Sequence, residues 1–510
     1  LIVRADTLRP TAHAGAPRSN GAPLAAAVAA GLLIALSLPP FGFWPLGVLG
    51  LASFALLLRG QSPRMRAASG AGLGVGQYLV GLWWVTGFNV AGYLALVMHG
   101  AGCAALAALV VPARRRWGVV VGLPAALVVS DWLRGHFPFG GLPLGGTALG
   151  QVGGPLVSSA RLGGTILVVG VTALAGAGLA ELAWSVGRGL HAPRAAAVGP
   201  ALRGTVALLI LTAIVVAGWI GPDGGGKGPK RALRVALVQG GGPRGLHAVE
   251  TDPEVAFQRQ LNASRSVRGV DLVLWPEDVI QLDRPVSQTR DGALVADLAL
   301  RLQTTVIAGV VEDQGPNRFR NAAVAWGPSG TIVASYGKVH RVPFGEYVPF
   351  RGIVEHLANL TLVPRDAVPG RGSGLMVTPA GRFGVVISYE VFFEDRARDA
   401  IRAGGQVLLV PTNASSYRIS QVPTQEVAAA QLRAWETGRD TVQAAPTGYS
   451  AIIGHTGRVL ARSTLGRQQV VVGAVEERGG RTLFVRLGDL PVVGLAVLAL
   501  IALRWPRRRR

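Results

Sequence analysis

The chain has 510 residues, half of them hydrophobic, with a formal charge of +22 and a mean hydropathy of +0.39. That is greasier than a soluble globular protein, so bilayer-spanning segments are expected, and the length leaves room for two or three domains. The basic charge falls largely in short runs between apolar stretches, the pattern of membrane orientation, and nucleic acid is not expected as a partner. The single cysteine, Cys103, lies in an apolar segment and reads as a small buried hydrophobe. It permits neither an intrachain disulfide nor a multi-cysteine metal site, and no metal or cofactor is expected. The richness in Ala, Gly, Val and Arg points to a high-GC bacterial gene, and Leu1 in place of Met to a trimmed or unusually started chain.

In chain order, apolar segments fall at 23–39, 44–58, 70–87, 90–112, 117–133, 163–185 and 204–220, and an eighth at 491–503. Several approach the ~20 residues that cross the hydrocarbon core, and the shorter ones need flanking residues or local thinning. The first follows Arg4, Arg9 and Arg18 but lacks a small-residue cleavage site before a polar mature chain, so it reads as a span. Basic residues mark the basic N-terminal tail, the loops holding Arg59, Arg64 and Arg66, Arg114 to Arg116, and Arg188, Arg194 and Arg203, and the end at Arg507 to Arg510. With eight spans all of these lie on one side, while 39–44 and 87–90 carry no Lys or Arg, which puts both termini in the cytoplasm. The expected division is a membrane domain of seven transmembrane helices over 1–221, an extracytoplasmic domain over 222–488, and an eighth transmembrane helix with a basic cytoplasmic tail over 489–510.

Between the fifth and sixth spans, HFPFGGLPLGGTALGQVGGP is apolar, aromatic at its start and rich in Gly and Pro. It reads either as a re-entrant or interfacial loop or as a plain connector. Asp131, with Arg134 a turn later, is an interface anchor or part of a polar cavity.

GPDGGGKGPK then reads as a flexible linker, and the pattern changes. Strand-like runs occupy 234–239, 271–277, 304–312, 322–327, 331–338, 382–390 and 406–413, with helical stretches near 253–266, 292–303 and 424–437. This alternation, with the GPSG turn at 327–330, predicts an α/β domain on a mixed sheet. Three of the strand ends stop in polar residues: Glu277 after DLVLWP, Lys338 after ASYG, and Ser388, Tyr389 and Glu390 after VVI. Reacting groups of open α/β sheets sit just beyond strand carboxyl ends. A carboxylate, an ammonium and a hydroxyl there form a coherent set of base, oxyanion stabiliser and nucleophile. Taken singly, each is an ordinary solvated or turn residue. The rigid Trp-Pro before Glu277, and Glu346 eight residues after Lys338, make the set more specific.

LWPED, YGKVHRVPFGEYVPF and GVVISYEVFFED resemble the three signature segments of the nitrilase (carbon–nitrogen hydrolase) superfamily. VPFGEYVPF, the SYE context, LPPFGFWPL at 38–46 and the seven-plus-one spans resemble, within it, the apolipoprotein N-acyltransferases, in an actinobacterial-like form. The resemblance covers nearly the whole chain. It implies a polytopic helical membrane domain of eight spans plus an extracytoplasmic α/β domain of αββα sandwich type. It also implies a Glu–Lys–Cys triad, with Glu277 as general base, Lys338 as oxyanion stabiliser and Ser388 at the nucleophile position. Glu346 would orient the lysine or relay protons, and Tyr389 and Glu390 would shape the acyl site. The implied reaction is ping-pong transfer of a fatty acyl chain from a membrane phospholipid to the N-terminal amine of an S-diacylglyceryl-cysteine apolipoprotein. The expected protein is a monomer of the cell membrane, with a fusion or another cytoplasmic-side domain conceivable after RWPRRRR.

The chain departs from the family pattern in three places. Ser388 stands where the family has cysteine, and a serine hydroxyl is a far weaker acid than a thiol. The favoured reading is an engineered Cys→Ser substitution that preserves the site while suppressing turnover; a natural serine variant or a pseudoenzyme is the alternative. GGGPRGLHAVE and GGLPLGG lack the aromatic residues expected there. A membrane-tethered amidase, a lipid-binding scaffold and a transporter are the competing functions, the last disfavoured by the scarcity of paired intramembrane charges. The loop 136–150 and Phe392–Phe393 are candidates for a lid, with core packing the other reading of the two phenylalanines.

Overall fold

The computed structural model describes residues 21–191, 193, 195–226, 231–242, 252–356, 360, 363–413 and 421–505. The basic N-terminal tail, Arg194, residues 227–230 of the GPDGGGKGPK linker, most of GGGPRGLHAVE and Arg507 to Arg510 lie outside these residues.

Each of the eight apolar segments falls on a helix: α1 (Gly21–Ser37), α2 (Trp44–Leu57), α3 (Pro63–Gly81), α4 (Val90–Val110), α5 (Gly118–Arg134), α6 (Ala160–His191), α7 (Ala195–Ile220) and, after the α/β part, Leu490–Arg504. Three of the helical segments, Val90–Val110, Pro155–Leu190 and Ala195–Ile220, are long and apolar enough to cross a membrane; α1, α2 and Leu490–Arg504 are shorter apolar helices. Small residues let these helices approach closely. A Cβ at Gly31 of α1 would stand 2.0 Å from the Leu73 carbonyl oxygen of α3, and one at Gly74 of α3 would stand 2.5 Å from Ala101 Cα of α4. Near its start α6 breaks at Gly163 and Gly164, the latter at φ 72°.

The α/β part holds two sheets. In chain order its elements are β1 (Ala232–Gln239), α8 (Pro253–Ser264), β2 (Leu272–Leu274), β3 (Ile280–Leu282), α9 (Arg290–Leu302), β4 (Thr305–Asp313), β5 (Arg318–Trp326), β6 (Ile332–Gly337), α10 (Arg351–Val354) and β7 (Asp366–Ala367). There follow β8 (Leu375–Thr378), β9 (Gly381–Val385), α11 (Glu394–Arg402), β10 (Val407–Pro411), α12 (Gln421–Thr437), β11 (Thr441–Ala444), β12 (Ala451–Ile453), β13 (Val459–Arg462), β14 (Gln469–Glu476), α13 (Leu483–Leu487) and α14 (Leu490–Arg504). One sheet runs β14-β1-β2-β4-β5-β6, with β3 beside β4 and β7 beside β5; the other runs β13-β12-β11-β10-β9-β8. Val235, Leu237, Leu274 and Ile307 of the first meet Phe383, Val385, Leu409 and Val442 of the second in one apolar layer. The opposite face of the first sheet is covered by Phe257 of α8 and Val295 and Leu298 of α9.

The outer face of the second sheet is covered by α12, which explains the composition of that helix. All of its residues except Thr424 and Gln431 are buried, because it lies between the sheet and the membrane-type helices. A helix enclosed on all sides favours small or apolar residues, hence the Val427–Ala430 run VAAA, while its buried polar side chains need partners. Two glutamines dock its first turn on the end of α3: Gln421 Nε2 donates to the Val80 carbonyl at 2.7 Å, and Gln425 Nε2 to that of Gly81 at 3.0 Å. Carbonyls at a helix C-terminus lack intrahelical partners, so these bonds satisfy both elements.

Candidate active site

Glu277 leaves β2 on a turn that crosses directly over β4. Gly309 N–H donates to the Pro276 carbonyl at 3.0 Å, and a Cβ at Gly309 would lie 2.4 Å from Glu277 Cα. Only glycine admits this crossing. Lys338 follows β6, its N–H bonded to the Asn321 carbonyl of β5 at 2.9 Å. Its Nζ donates at 2.8 Å to Glu277 Oε1 and at 2.8 Å to Glu346 Oε1. Asn321 Nδ2 reaches the same two oxygens at 2.9 and 3.0 Å, and Glu346 Oε2 accepts from Val342 N–H at 2.8 Å. Burial pushes the Lys338 ammonium toward losing its proton, but Glu277 and Glu346 outweigh burial and hold it above the usual lysine range. The lysine stays a cation, suited to stabilising negative charge rather than to taking a proton.

Ser388 begins a 3-10 turn, Ser388–Phe392, just beyond β9, and its backbone is left-handed at φ 50°. A non-glycine residue in that region stores roughly 1–3 kcal/mol and persists only where its surroundings impose it. Glu390 supplies the constraint. Fully buried, it accepts from Ile387 N–H at 2.8 Å, Val339 N–H at 2.7 Å, His340 N–H at 3.1 Å and the Tyr336 hydroxyl at 3.0 Å. One carboxylate thus ties the Ser388 turn to the segment that carries Lys338. Burial raises the Glu390 pKa, while these backbone N–H groups pull it down. A second tie joins Asn413, beyond β10, to the Glu277 turn, through Asn413 Nδ2 and Asp278 Oδ2 at 3.1 Å. The Ser388 Oγ itself lies 3.3 Å from Thr412 Oγ1, which lies 2.7 Å from Glu426 Oε1.

Tyr389 points the other way, its hydroxyl donating to the Gly141 carbonyl of the 136–155 loop at 3.1 Å. It packs with Phe393 in an apolar cluster that includes Tyr78 and Leu82 near the end of α3 and Tyr93 and Val97 of α4. Phe393 is 5% exposed and stacks on His340 at 4.1 Å, which makes it packing rather than a lid. The 136–150 loop contributes Phe139, edge-on to Phe344 at 6.0 Å and to Phe350 at 6.2 Å. Arg134 is held by Asp131 at 2.6 Å and donates to the Leu142 and Leu144 carbonyls, which ties the loop to α5.

Six residues single themselves out in the sequence, and the structure gathers Glu277, Lys338 and Glu346 in direct contact. Ser388 sits on the adjoining turn, Glu390 beneath it and Tyr389 toward the helices. Asn321, Thr412 and Glu426 escape a sequence reading. Asn321 follows Arg318 and Arg320 in the polar first half of its strand, Thr412 ends a run whose polar end goes unremarked, and Glu426 hides in an alanine-rich helix. Only Thr412 and Glu426 offer a signal, polarity where the pattern requires apolar residues.

Residues 234–482 match the carbon–nitrogen hydrolase family, and residues 30–178 match the apolipoprotein N-acyltransferase N-terminal domain. The chain is 30% identical over 532 residues to an apolipoprotein N-acyltransferase of Azotobacter vinelandii, covering 95% of this chain and 94% of the relative. It is 30% identical over 474 residues to one of Mycolicibacterium smegmatis, with 87% and 78% covered. Against one from Vibrio vulnificus it is 27% identical over 530 residues, with 96% and 97% covered. Among solved structures it is similar to an amidase from Nesterenkonia sp. at 19% identity and TM-score 0.35, over 51% of this chain and 94% of that one. Nit3 of Saccharomyces cerevisiae, a nitrilase superfamily member, matches at 18% identity and TM-score 0.37, over 55% and 97%. With both of its parts matched and relatives aligned along nearly its whole length, the chain belongs to the apolipoprotein N-acyltransferase family.

Proposed function

We propose that this chain transfers a fatty acyl group from a membrane phospholipid to the α-amino group of an S-diacylglyceryl-cysteine apolipoprotein. In this reading the oxygen of Ser388 attacks the donor ester, Lys338 holds the oxyanion that develops, and the lysophospholipid leaves. The apolipoprotein amine then attacks the acyl-enzyme, and Glu277 accepts its proton. The observation that carries the reading is the buried Glu277–Lys338–Glu346 cluster beside a strained serine turn whose wall is built by the apolar ends of α3 and α4. A site so placed suits substrates anchored in a bilayer, and the exposed Phe137, Phe344 and Phe350 suit the membrane–water interface. Glu346 holds the lysine, Glu390 sets the turn, and Tyr389 joins the turn to the lipid-facing loop.

The same reading takes all eight apolar helices as spans, with both termini cytoplasmic, residues 222–488 on the outer face as a sandwich of two sheets between helices, and 489–510 as the last span and tail. The protein acts as a monomer and needs neither metal nor cofactor. A working Ser388 and a Cys→Ser replacement that suppresses turnover separate in one experiment. The purified chain and Ser388→Cys are incubated with a single defined phospholipid, and the intact mass is measured. Acyl mass on residue 388 of either form supports the transfer reading, and the native chain alone tells which form works. No adduct on either form, with lipid in excess, sinks the proposed donor.

A further inference from the structure

Among the buried acids that the mechanism above leaves unused, one is linked by hydrogen bonds to the Ser388 hydroxyl. Glu426, in the second turn of α12, is 4% exposed, and among the described residues its Oε2 has no hydrogen-bond partner. Its Oε1 meets Thr412 Oγ1 at 2.7 Å, and Thr412 Oγ1 is also the hydroxyl 3.3 Å from Ser388 Oγ. Thr412 is fully buried, and its backbone is fixed by a 2.9 Å bond from its N–H to the Ala444 carbonyl. A threonine has one hydroxyl hydrogen for two oxygens. In the structure Thr412 Oγ1 is placed to donate to both Glu426 Oε1 and Ser388 Oγ; with Glu426 ionised the one hydrogen goes to the nearer carboxylate, and the Ser388 hydroxyl must turn to donate to the Thr412 oxygen. The donors then run in one direction, Ser388 to Thr412 to Glu426. Glu277 is placed differently, its Oε1 already accepting from Lys338 and Asn321.

We propose that Glu426, acting through Thr412, receives the proton of the Ser388 hydroxyl as that oxygen attacks the acyl donor. The inference rests on Ser388 being the nucleophile. As the Ser388 Oγ–carbonyl bond forms, the Ser388 proton passes to Thr412 Oγ1 and the Thr412 proton to Glu426; the carbonyl electron pair moves to the oxygen facing Lys338. When the tetrahedral species collapses, the bond to the glycerol oxygen breaks. That oxygen takes a proton back from Thr412, which Glu426 replenishes. Glu426 is again a carboxylate and the acyl ester remains on Ser388. Thr412 touches the reacting oxygen, whereas Glu426 is a positioning residue that works through it.

Glu426 is suited to this by its surroundings. Burial pushes its pKa up to about 8 against the pull of the Thr412 bond, with the Glu277 charge raising it further and the Lys338 charge lowering it. A base with a pKa near the working pH couples best to a weakly acidic hydroxyl. Arg433 and Glu436, further along α12, pair with each other and with Thr165 of α6. The charged groups acting on Glu426 are therefore Glu277 and Lys338.

The test measures covalent labelling of Ser388 in the purified full-length chain by a long-chain alkyl fluorophosphonate, read as intact mass from pH 6 to 10. Labelling of the native chain rises as pH climbs through about 8 and levels off above it, since the carboxylate form is the acceptor. Glu426→Gln removes that inflection and slows labelling at pH 9 by ~100-fold, the lower range for a positioned base. Thr412→Val does the same and Thr412→Ser restores the profile, a rescue that a purely structural role does not predict. In a Ser388→Cys background, Glu426→Gln changes thioester formation by less than about threefold, because a thiol ionises without a relay. A native rate and profile in folded Glu426→Gln overturns the relay. So does a native Ser388 that resists the phosphonate at every pH while Ser388→Cys acylates; that outcome leaves the transfer reading standing. Labelling with the expected profile but no adduct from phospholipid retains the relay and rejects the donor.

Discussion

Lys338 is 2% exposed and held by two carboxylates, so its charge is needed for the fold as well as for chemistry. Lys338→Met leaves Glu277 and Glu346 facing each other without a cation, and breaking such a buried pair costs about 3–5 kcal/mol. Adding Glu277→Gln removes the repulsion, so the fall in Tm caused by Lys338→Met is expected to be smaller in that background; an equal fall in both backgrounds would remove the ion-pair account. The pKa of Glu426 rises from 4.5 to about 8 on folding, so native stability is complete below the lower value and declines as pH climbs toward the upper. Relative to the native chain, Glu426→Gln should therefore gain Tm between those pH values and hold the gain above them, as thermal unfolding across pH will show. Glu277, Lys338, Glu346 and Ser388 were readable because each ends or follows an apolar run, where polarity needs explaining. Asn321, Thr412 and Glu426 matter through partners far away in sequence, and single positions do not reveal pairing.

At the scale of elements, the break in α6 sets how the α/β part sits on the helices. Gly164 has φ 72°, and a Cβ there would stand 2.5 Å from Glu394 Oε2 and 2.5 Å from Phe484. Glu394 Oε2 also accepts the Thr165 N–H at 2.6 Å, capping the helix after the break. Gly164→Ala is expected to cost about 1–3 kcal/mol from the backbone alone, plus the clash; unchanged Tm and activity would mean that the break is not required. The long apolar helices and β1, β4 and β5 were legible because they offer many residues of consistent pattern. β2 shrinks to Leu272–Leu274, and β8, β11, β12 and β13, of three or four residues each, went unread. Strands so short give too few alternations, and in β11 and β12 burial on both faces erases them. The helix α11 was missed because EDRARDAIR is mostly charged, although Ala397, Ala400 and Ile401 line one buried face. The sequence pattern of α7 began at residue 204, yet the helix starts at Ala195 and runs through Pro200.

At the scale of the molecule, the proposed orientation puts Ser329 and Arg115, both exposed, on opposite sides of the membrane. In a Cys103→Ser background, a membrane-impermeant maleimide on intact cells should label Ser329→Cys and spare Arg115→Cys; the reverse pattern would invert the topology. The charge alternation that suggests this is a property of whole loops, so it survives errors of a few residues at helix ends. The docking of α12 on α3 has a further consequence. Gln421 and Gln425 fasten the N-terminal turn of α12 to backbone carbonyls at Val80 and Gly81. In the proposed topology α3 spans the bilayer, where a hydrocarbon layer thinner or thicker than it prefers would make it tilt. The tilt reaches the turn next to Glu426 through two amides. Hydrocarbon thickness then becomes a control on turnover separate from donor choice: with one fixed donor, rates should peak in host vesicles of one acyl length, and Gln421→Ala combined with Gln425→Ala should flatten that peak.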